Sequence, residues 1–218
     1  MRGGVASTRM NIGVIGSGKI GATVAQLAVR AGHSVQIANS RGPASLKPLE
    51  HQLGANARAA TVEAAASFGD LVIVAIPFGI SLALPPAPFA GRIVVDAGNY
   101  YPGRDGQIEA LDAGATTSSE LLAERLPGAR VVKAFNTMYF ATLAARGDAS
   151  RIDDERLALF LAGDDAQAKA AVAELIEELG FAAVDTGTLA AGGRLQQPGS
   201  AIYNTELTRA EALTALGR

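Results

Sequence analysis

The sequence predicts an α/β protein with a doubly wound, mostly parallel sheet and helices on both faces. Three observations carry that reading. Short apolar runs alternate with segments of helical periodicity along nearly the whole chain, the pattern of repeated strand–helix–strand units. A complete G-x-G-x-x-G, Gly16-Ser17-Gly18-Lys19-Ile20-Gly21, falls between the first such run and the first such segment. The composition, 49% apolar and 18% charged over 218 residues, suits one folded unit with a sizeable core.

The elements follow in order. Met10–Ile15 is a short glycine-bounded apolar run and reads as a buried strand. Lys19–Ala31 carries Ile20, Val24, Leu27 and Ala28 at helical spacing and stops at Gly32. Val35–Ala38 is a second strand. Pro43 opens a helix to Leu53, because proline is tolerated in a first turn. Ala57–Ala59 is a short strand and Thr61–Ser67 an alanine-rich helix. Leu71–Ile76 is continuously apolar, as a parallel strand covered on both faces should be. Arg92–Asp96 is the next strand, Ser118–Leu126 a helix, Arg130–Ala134 a strand and Thr137–Ala145 a helix. Leu157–Ala162 reads as a strand, Ala166–Leu179 as a periodic helix capped by Asp164-Asp165, and Ala182–Asp185 as the last strand. A glycine-rich stretch after Gly187 leads to a helix near Glu206–Leu216. Glu174, Glu177 and Glu178 read as a solvated helix face. Together these elements predict a Rossmann-type sheet.

The same sequence limits function. The net charge of −2 offers no basic field for nucleic acid or for a membrane surface. The absence of cysteine excludes disulfides, thiolate catalysis and cysteine metal sites. With only His33 and His51 as histidines, no metal site is expected; His33 reads as structural and His51 as a helix-surface residue. Residues 1–9 have neither the apolar core nor the cleavage pattern of a signal peptide and read as a tail. Residues 71–91 lack charge, but Pro77, Pro85, Pro86 and Pro88 rule against a membrane helix. The expectation is one cytoplasmic domain over residues 10–218, with a dinucleotide-binding part (10–136) and a smaller part (137–218) that completes an acceptor site.

The glycine turn has a physical logic. Gly16 permits the turn, Gly18 admits a pyrophosphate close to the backbone, and Gly21 lets helix and strand pack closely. First-turn N–H groups of Ser17 to Ile20 then face the phosphates. An NAD site places an acid about 20 residues further on. Here that place reads Asn39-Ser40-Arg41, so Ser40 can bond a 2′-phosphate and Arg41 can pair with it, with Lys47 adding a weaker attraction. NADP(H) is therefore the expected cofactor. Ligands bind at the carboxyl ends of the strands in such sheets. The run ending Ala75-Ile76-Pro77 offers an apolar wall, Asn99 a hydrogen-bonding group, and Phe135-Asn136-Thr137-Met138 a further polar end.

These residues carry a resemblance. GVIGSGKIGATVAQLAVRAGHSV, ANSRGP, IPF, DAGNYYP and VVKAFNT look like the F420-dependent NADP oxidoreductase family, whose nucleotide domain is similar to that of STEAP metal reductases. The resemblance runs from about Met10 to Tyr203. It implies that Ser40 and Arg41 take the 2′-phosphate and that Ile76, Pro77 and Asn99 flank the nicotinamide. It implies that Phe135 and Asn136 lie near hydride transfer, and that a deazaflavin packs between that segment and Leu195–Gly199, which includes Pro198. It also implies a homodimer, for which Tyr203 and Leu207 are candidate contacts. Archaeal members place a histidine near the flavin; this chain has none after His51. No Tyr-x-x-x-Lys is present, and none of Lys19, Lys47, Lys133 and Lys169 reads as a proton donor at a strand end. A site poor in acid–base groups suits hydride transfer between two flat rings better than carbonyl reduction. The acceptor expected is F420; a flavin or flavin-mediated metal acceptor is the second reading, and a non-catalytic NADP(H) sensor the third.

Overall fold

The computed structural model describes residues 9–218; most of the expected N-terminal tail lies outside them. Eight strands form one sheet in the order β3-β2-β1-β4-β5-β6-β7-β8. In chain order these are β1 Asn11–Ile15, β2 Ser34–Ala38, β3 Ala57–Ala60, β4 Leu71–Val74, β5 Ile93–Asp96, β6 Arg130–Ala134, β7 Ala158–Gly163 and β8 Ala182–Gly187. Every neighbouring pair is parallel except β6 and β7. Between β6 and β7 the chain runs through one short α-helix and comes back beside β6 in the opposite direction.

The major helices lie where the apolar period places them: α1 Lys19–Arg30, α2 Lys47–Leu53 and α3 Val62–Phe68. The loops after β4 and β5 add three single-turn helices, α4 Phe78–Ser81, α5 Pro102–Asp105 and α6 Glu109–Asp112. Then come α7 Ser118–Arg125, α8 Phe140–Arg146, α9 Ala166–Glu178, α10 Ala191–Leu195 and α11 Arg209–Ala215. Several boundaries differ from expectation; β4 ends at Val74 instead of Ile76, and the last helix starts at Arg209 instead of Glu206. Pro43–Leu46 is a 3-10 turn, and the α-helix starts at Lys47. α7 starts at Ser118 as expected, with Thr117 as its cap in a capping box with Glu120. α8 starts three residues late, because Phe135 has a left-handed φ of 64° and the turn after it cannot continue a helix.

The main core packs Ile12, Val14, Val24, Ile37, Leu71 and Ile73 with Leu159, Leu175 and Phe181 on one side of the sheet. Val72, Val74, Val94, Leu122 and Leu126 form the core of the other side. Glu178 is not part of a solvated face. Its carboxylate lies 2.8 Å from Nε2 of the fully buried His33, whose Nδ1 accepts from the Met10 N–H. Asp165 caps α9, while Asp164 turns away to accept from the Leu189 N–H. Among the described residues no helix is long and apolar enough to cross a membrane, and no group of three or more His, Cys, Asp or Glu could hold a metal.

Candidate functional site

The strand order reverses between β1 and β4, which opens a crevice at their carboxyl ends. A cleft of about 500 Å³ occupies that crevice. Gly16, Ser17 and Gly18 form its floor, Asn39, Ser40 and Arg41 one end, and Ala75, Ile76 and Pro77 its wall. Val62, Ile80 and Leu84 complete the apolar side. Periodicity could not assign Ile80 and Leu84, because α4 is a single turn and Leu84 follows it in a loop.

The glycine turn has the geometry its sequence demands. Gly16 has a φ of 115°, and a Cβ there would run into the Ala75 carbonyl; a Cβ on Gly21 would run into the Gly16 carbonyl. A Cβ on Gly18 would meet no protein atom within 4 Å. Packing within the chain therefore explains two glycines and leaves the third open towards the cleft. Gly18 caps α1 without a side-chain bond, and no acid occupies the first turn. The first N–H groups of α1 are left for a ligand, with the positive end of the helix behind them. These features fit a dinucleotide pyrophosphate.

The Asn39–Arg41 end is built by hydrogen bonds. Asn39 Oδ1 accepts from the Arg41 N–H at 2.9 Å, and Asn39 Nδ2 reaches the Ser17 and Ser45 hydroxyls. The Arg41 guanidinium and Ser40 hydroxyl, both exposed, have no partner among the described residues. Among the described residues no carboxylate lines the cleft, and Arg41 is the one cation that does. This charge pattern fits a 2′-phosphate. Lys47, expected to assist, instead pairs with Glu50 at 2.7 Å. Lys19 Nζ sits 4.7 Å from the centre of the Phe140 ring, outside the cleft, and Ile20 packs against the main core.

The remaining predicted residues gather at the ends of β5 and β6. Asn99 and Asn136 bond reciprocally at 3.0 Å: Asn99 Nδ2 donates to the Asn136 carbonyl and Asn136 Nδ2 to Asn99 Oδ1. Asn136 Nδ2 also donates to the Gln196 carbonyl at 2.8 Å, which brings the C-terminal segment onto this edge. Phe135 and Met138 are buried in the main core, and Thr137 offers its carbonyl to the Asn204 N–H. Pro198 does not line the cofactor cleft. With Asn99, Tyr101, Lys133 and Gln197 it borders a separate cavity of about 260 Å³.

Two pairings could not be read from the sequence. Tyr203 Oη lies 2.6 Å from Tyr101 Oη, and burial, with that bond second, pushes its phenol up to about 12. Both Tyr203 and Leu207 pack within this chain, the latter against the Ala158–Phe160 cluster. The second pairing is a buried Asp96–Lys133 ion pair at 3.2 Å. The signal it leaves there is a carboxylate and an ammonium near the ends of two otherwise apolar strands, RIVVD and RVVKA. Beside this edge, Arg104 holds the Asp105 carboxyl below its usual range, and Asp105 accepts from the Gly79 and Tyr101 N–H groups. That carboxylate ties the loop after β4 to the loop after β5.

Comparison with known proteins follows this geometry closely. The family described as coenzyme F420-dependent NADP oxidoreductase matches residues 11–100. A structure from Arthrobacter sp. FB24, provisionally named an F420-dependent NADP reductase, is 30% identical over 92% of this chain and 100% of its own, with a TM-score of 0.70. The chain belongs to the F420-dependent NADP oxidoreductase family. A hypothetical protein of Sinorhizobium meliloti is 39% identical over 93% of this chain and 96% of that one, with a TM-score of 0.78. Rat metalloreductase STEAP3 is 30% identical over 188 residues, 85% of this chain. The chain spans 35% of the length of that relative. The family is one of NADP-dependent oxidoreductases, and the chain carries the Rossmann sheet of that family.

Proposed function

We propose that the protein transfers hydride between NADP(H), held in the β1/β4 cleft, and the deazaflavin F420. The observation that carries this reading is the cleft itself: an open glycine at a helix N-terminus, an unpaired arginine and no carboxylate. When bound, reduced nicotinamide supplies a hydride to the acceptor ring, which also takes up one solvent proton. The chain's own residues bind and orient. Gly16, Ser17, Gly18 and the first turn of α1 would hold the pyrophosphate, with Lys19 and Ile20 contributing their backbone N–H groups. Asn39 sets the turn from which Ser40 and Arg41 would grip the 2′-phosphate. Ala75, Ile76 and Pro77 exclude water from one face, and Asn99 is held ready at the ring end. The 137–218 part would complete the acceptor site through Asn136, the Thr137–Met138 turn and Pro198.

A second acceptor class has a specific observation behind it, the 30% identity with a metalloreductase. Purified protein should be mixed with NADPH and, separately, F420, FMN and FAD, while the NADPH absorbance band is followed. Loss of the band with F420 supports the main reading, and loss only with FMN or FAD moves the protein to the second. Tight NADPH binding with no turnover on any acceptor would make it a sensor. A cytoplasmic homodimer is part of the same proposal, and light scattering on the purified protein tests its dimeric part.

A further inference from the structure

We propose that Asp96 and Lys133 are positioning residues, a buried clamp that fixes the Gly98 peptide and so aims Asn99 at the nicotinamide end of the cleft. The assignment rests on the functional reading above and names the part of the fold that holds its ring end in place.

The register of the parallel β5–β6 pair sets the two side chains opposite each other, Asp96 against Lys133. Both are almost fully buried, 2% and 1% exposed. Each then reaches beyond its partner to the same peptide. Asp96 Oδ1 accepts from the Gly98 N–H at 2.9 Å, and Lys133 Nζ donates to the Gly98 carbonyl at 2.9 Å. Ser119, from the first turn of α7, donates to Asp96 Oδ2 at 2.7 Å and holds the carboxylate in place. A Cβ on Gly98 would lie 3.0 Å from Asp96 Oδ1, so the peptide fits tightly against the clamp.

The next residue is Asn99. Its carboxamide is locked to Asn136, three residues beyond Lys133, across the left-handed turn at Phe135. Lys133 therefore governs both partners of the Asn99–Asn136 bond: Asn99 through Gly98, and Asn136 through its own strand. Stability alone does not account for such a pair. A buried ion pair gains little over apolar residues of the same shape, because desolvation offsets the attraction. Val94 and Val131, two residues earlier on the same face of these strands, show that apolar side chains fit there. What apolar residues could not do is hold one peptide by its N–H and its carbonyl at once.

The test uses Lys133→Met and the charge-neutral double variant Lys133→Met with Asp96→Asn, which avoids an unpaired buried carboxylate. Folding is checked by circular dichroism and thermal melting. Binding is measured for NADPH and for 2′,5′-ADP, a fragment that reaches only the Gly16–Arg41 end. The folded double variant should bind 2′,5′-ADP as the wild type does. NADPH should bind about tenfold more weakly, as for one lost hydrogen bond. Turnover with the best acceptor should fall by about a hundredfold, as for a ring misplaced by about 1 Å. Hydrogen exchange at the Gly98 and Asn99 amides should accelerate. Equal losses for NADPH and 2′,5′-ADP would mean general loosening and overturn the proposal. So would unchanged NADPH binding and turnover in a folded variant, or unchanged exchange at Gly98. Failure of the functional reading is visible elsewhere, in the wild type. If the wild type does not bind NADPH, the cofactor reading and this assignment fall together. If it binds NADPH but passes no hydride to F420, only the acceptor is wrong, and the binding and exchange measurements still decide the clamp.

Discussion

Replacing Arg41 with alanine should convert an NADPH-selective protein into one that barely distinguishes NADPH from NADH. Arg41 is exposed and has no ion pair among the described residues, so its removal should leave the thermal midpoint unchanged. A charge-assisted hydrogen bond contributes about 1.5–3 kcal/mol, or roughly 10- to 150-fold in affinity. The guanidinium is open to water, so solvent screening puts the loss for NADPH near the lower end, about 10- to 30-fold. NADH lacks the phosphate and can lose only stacking on its adenine, about 0.5–1 kcal/mol or roughly 2- to 5-fold. The two numbers separate well enough to be decisive. Fluorescence titration of both cofactors against wild type and Arg41→Ala, at two salt concentrations, measures them. The NADPH loss should shrink at high salt and the NADH loss should not. If both cofactors weaken by the same factor, Arg41 does not read the phosphate and the selectivity argument fails.

Three further outcomes follow from the same geometry. Gly18→Ala meets no protein atom within 4 Å and keeps an allowed backbone, so stability should hold. The added methyl should nonetheless cost NADPH about 1–3 kcal/mol, roughly 5- to 150-fold, by crowding the pyrophosphate; a titration with unchanged affinity would remove the pyrophosphate from this turn. His33→Ala should lower stability in urea by about 1–3 kcal/mol, because Glu178 and the Met10 N–H each lose a buried partner. NADPH affinity should not follow, and a loss there would mean that the edge between β1 and α9 is coupled to the cleft. Tyr203 sets an alkaline limit. Its folded pKa of about 12 lies above the unfolded value near 10, so its contribution is fully present below the unfolded value and is lost as pH rises through the folded one. Between those values wild-type stability should fall more steeply with pH than that of Tyr203→Phe; parallel curves would refute the burial of that phenol.

Much of this was legible in sequence where the determinants are local. Gly16, Gly18 and Gly21 specify a turn within six residues, and Asn39–Arg41 end the very next strand, so the cofactor end could be read from a short stretch. Strands such as Leu71–Val74 declared themselves by unbroken apolarity. Strand direction did not. The run Leu157–Ala162 has the same composition whether it lies parallel or antiparallel to its neighbour, and it lies antiparallel to β6. The late start of α8 was hidden because a phenylalanine rarely takes a left-handed φ, and only its burial beside the Asn99–Asn136 bond holds it there. Lys133 stands near a strand end, where it is bonded to Asp96 and to the Gly98 carbonyl. The partners lie 37 residues apart and meet only through sheet register.

The ring end therefore contains more ionisable groups than the sequence suggested, and most of them are tied to one another by hydrogen bonds. Asp96 and Lys133 hold each other and the Gly98 peptide. Tyr101 and Tyr203 hold each other, and the Tyr203 phenol is kept protonated well above neutrality. Asn99 and Asn136 do not titrate, and they are locked together. Reduction of a carbonyl needs a donor that gives up its proton as hydride arrives. Transfer between two rings needs a fixed distance, a fixed face and the exclusion of water. Most polar groups at the ends of β5 and β6 hold the turns that would set that distance, and Asn136 Oδ1 is buried there without a hydrogen-bond partner. An edge that spends its charges on rigidity suits a reaction in which positioning is most of the work.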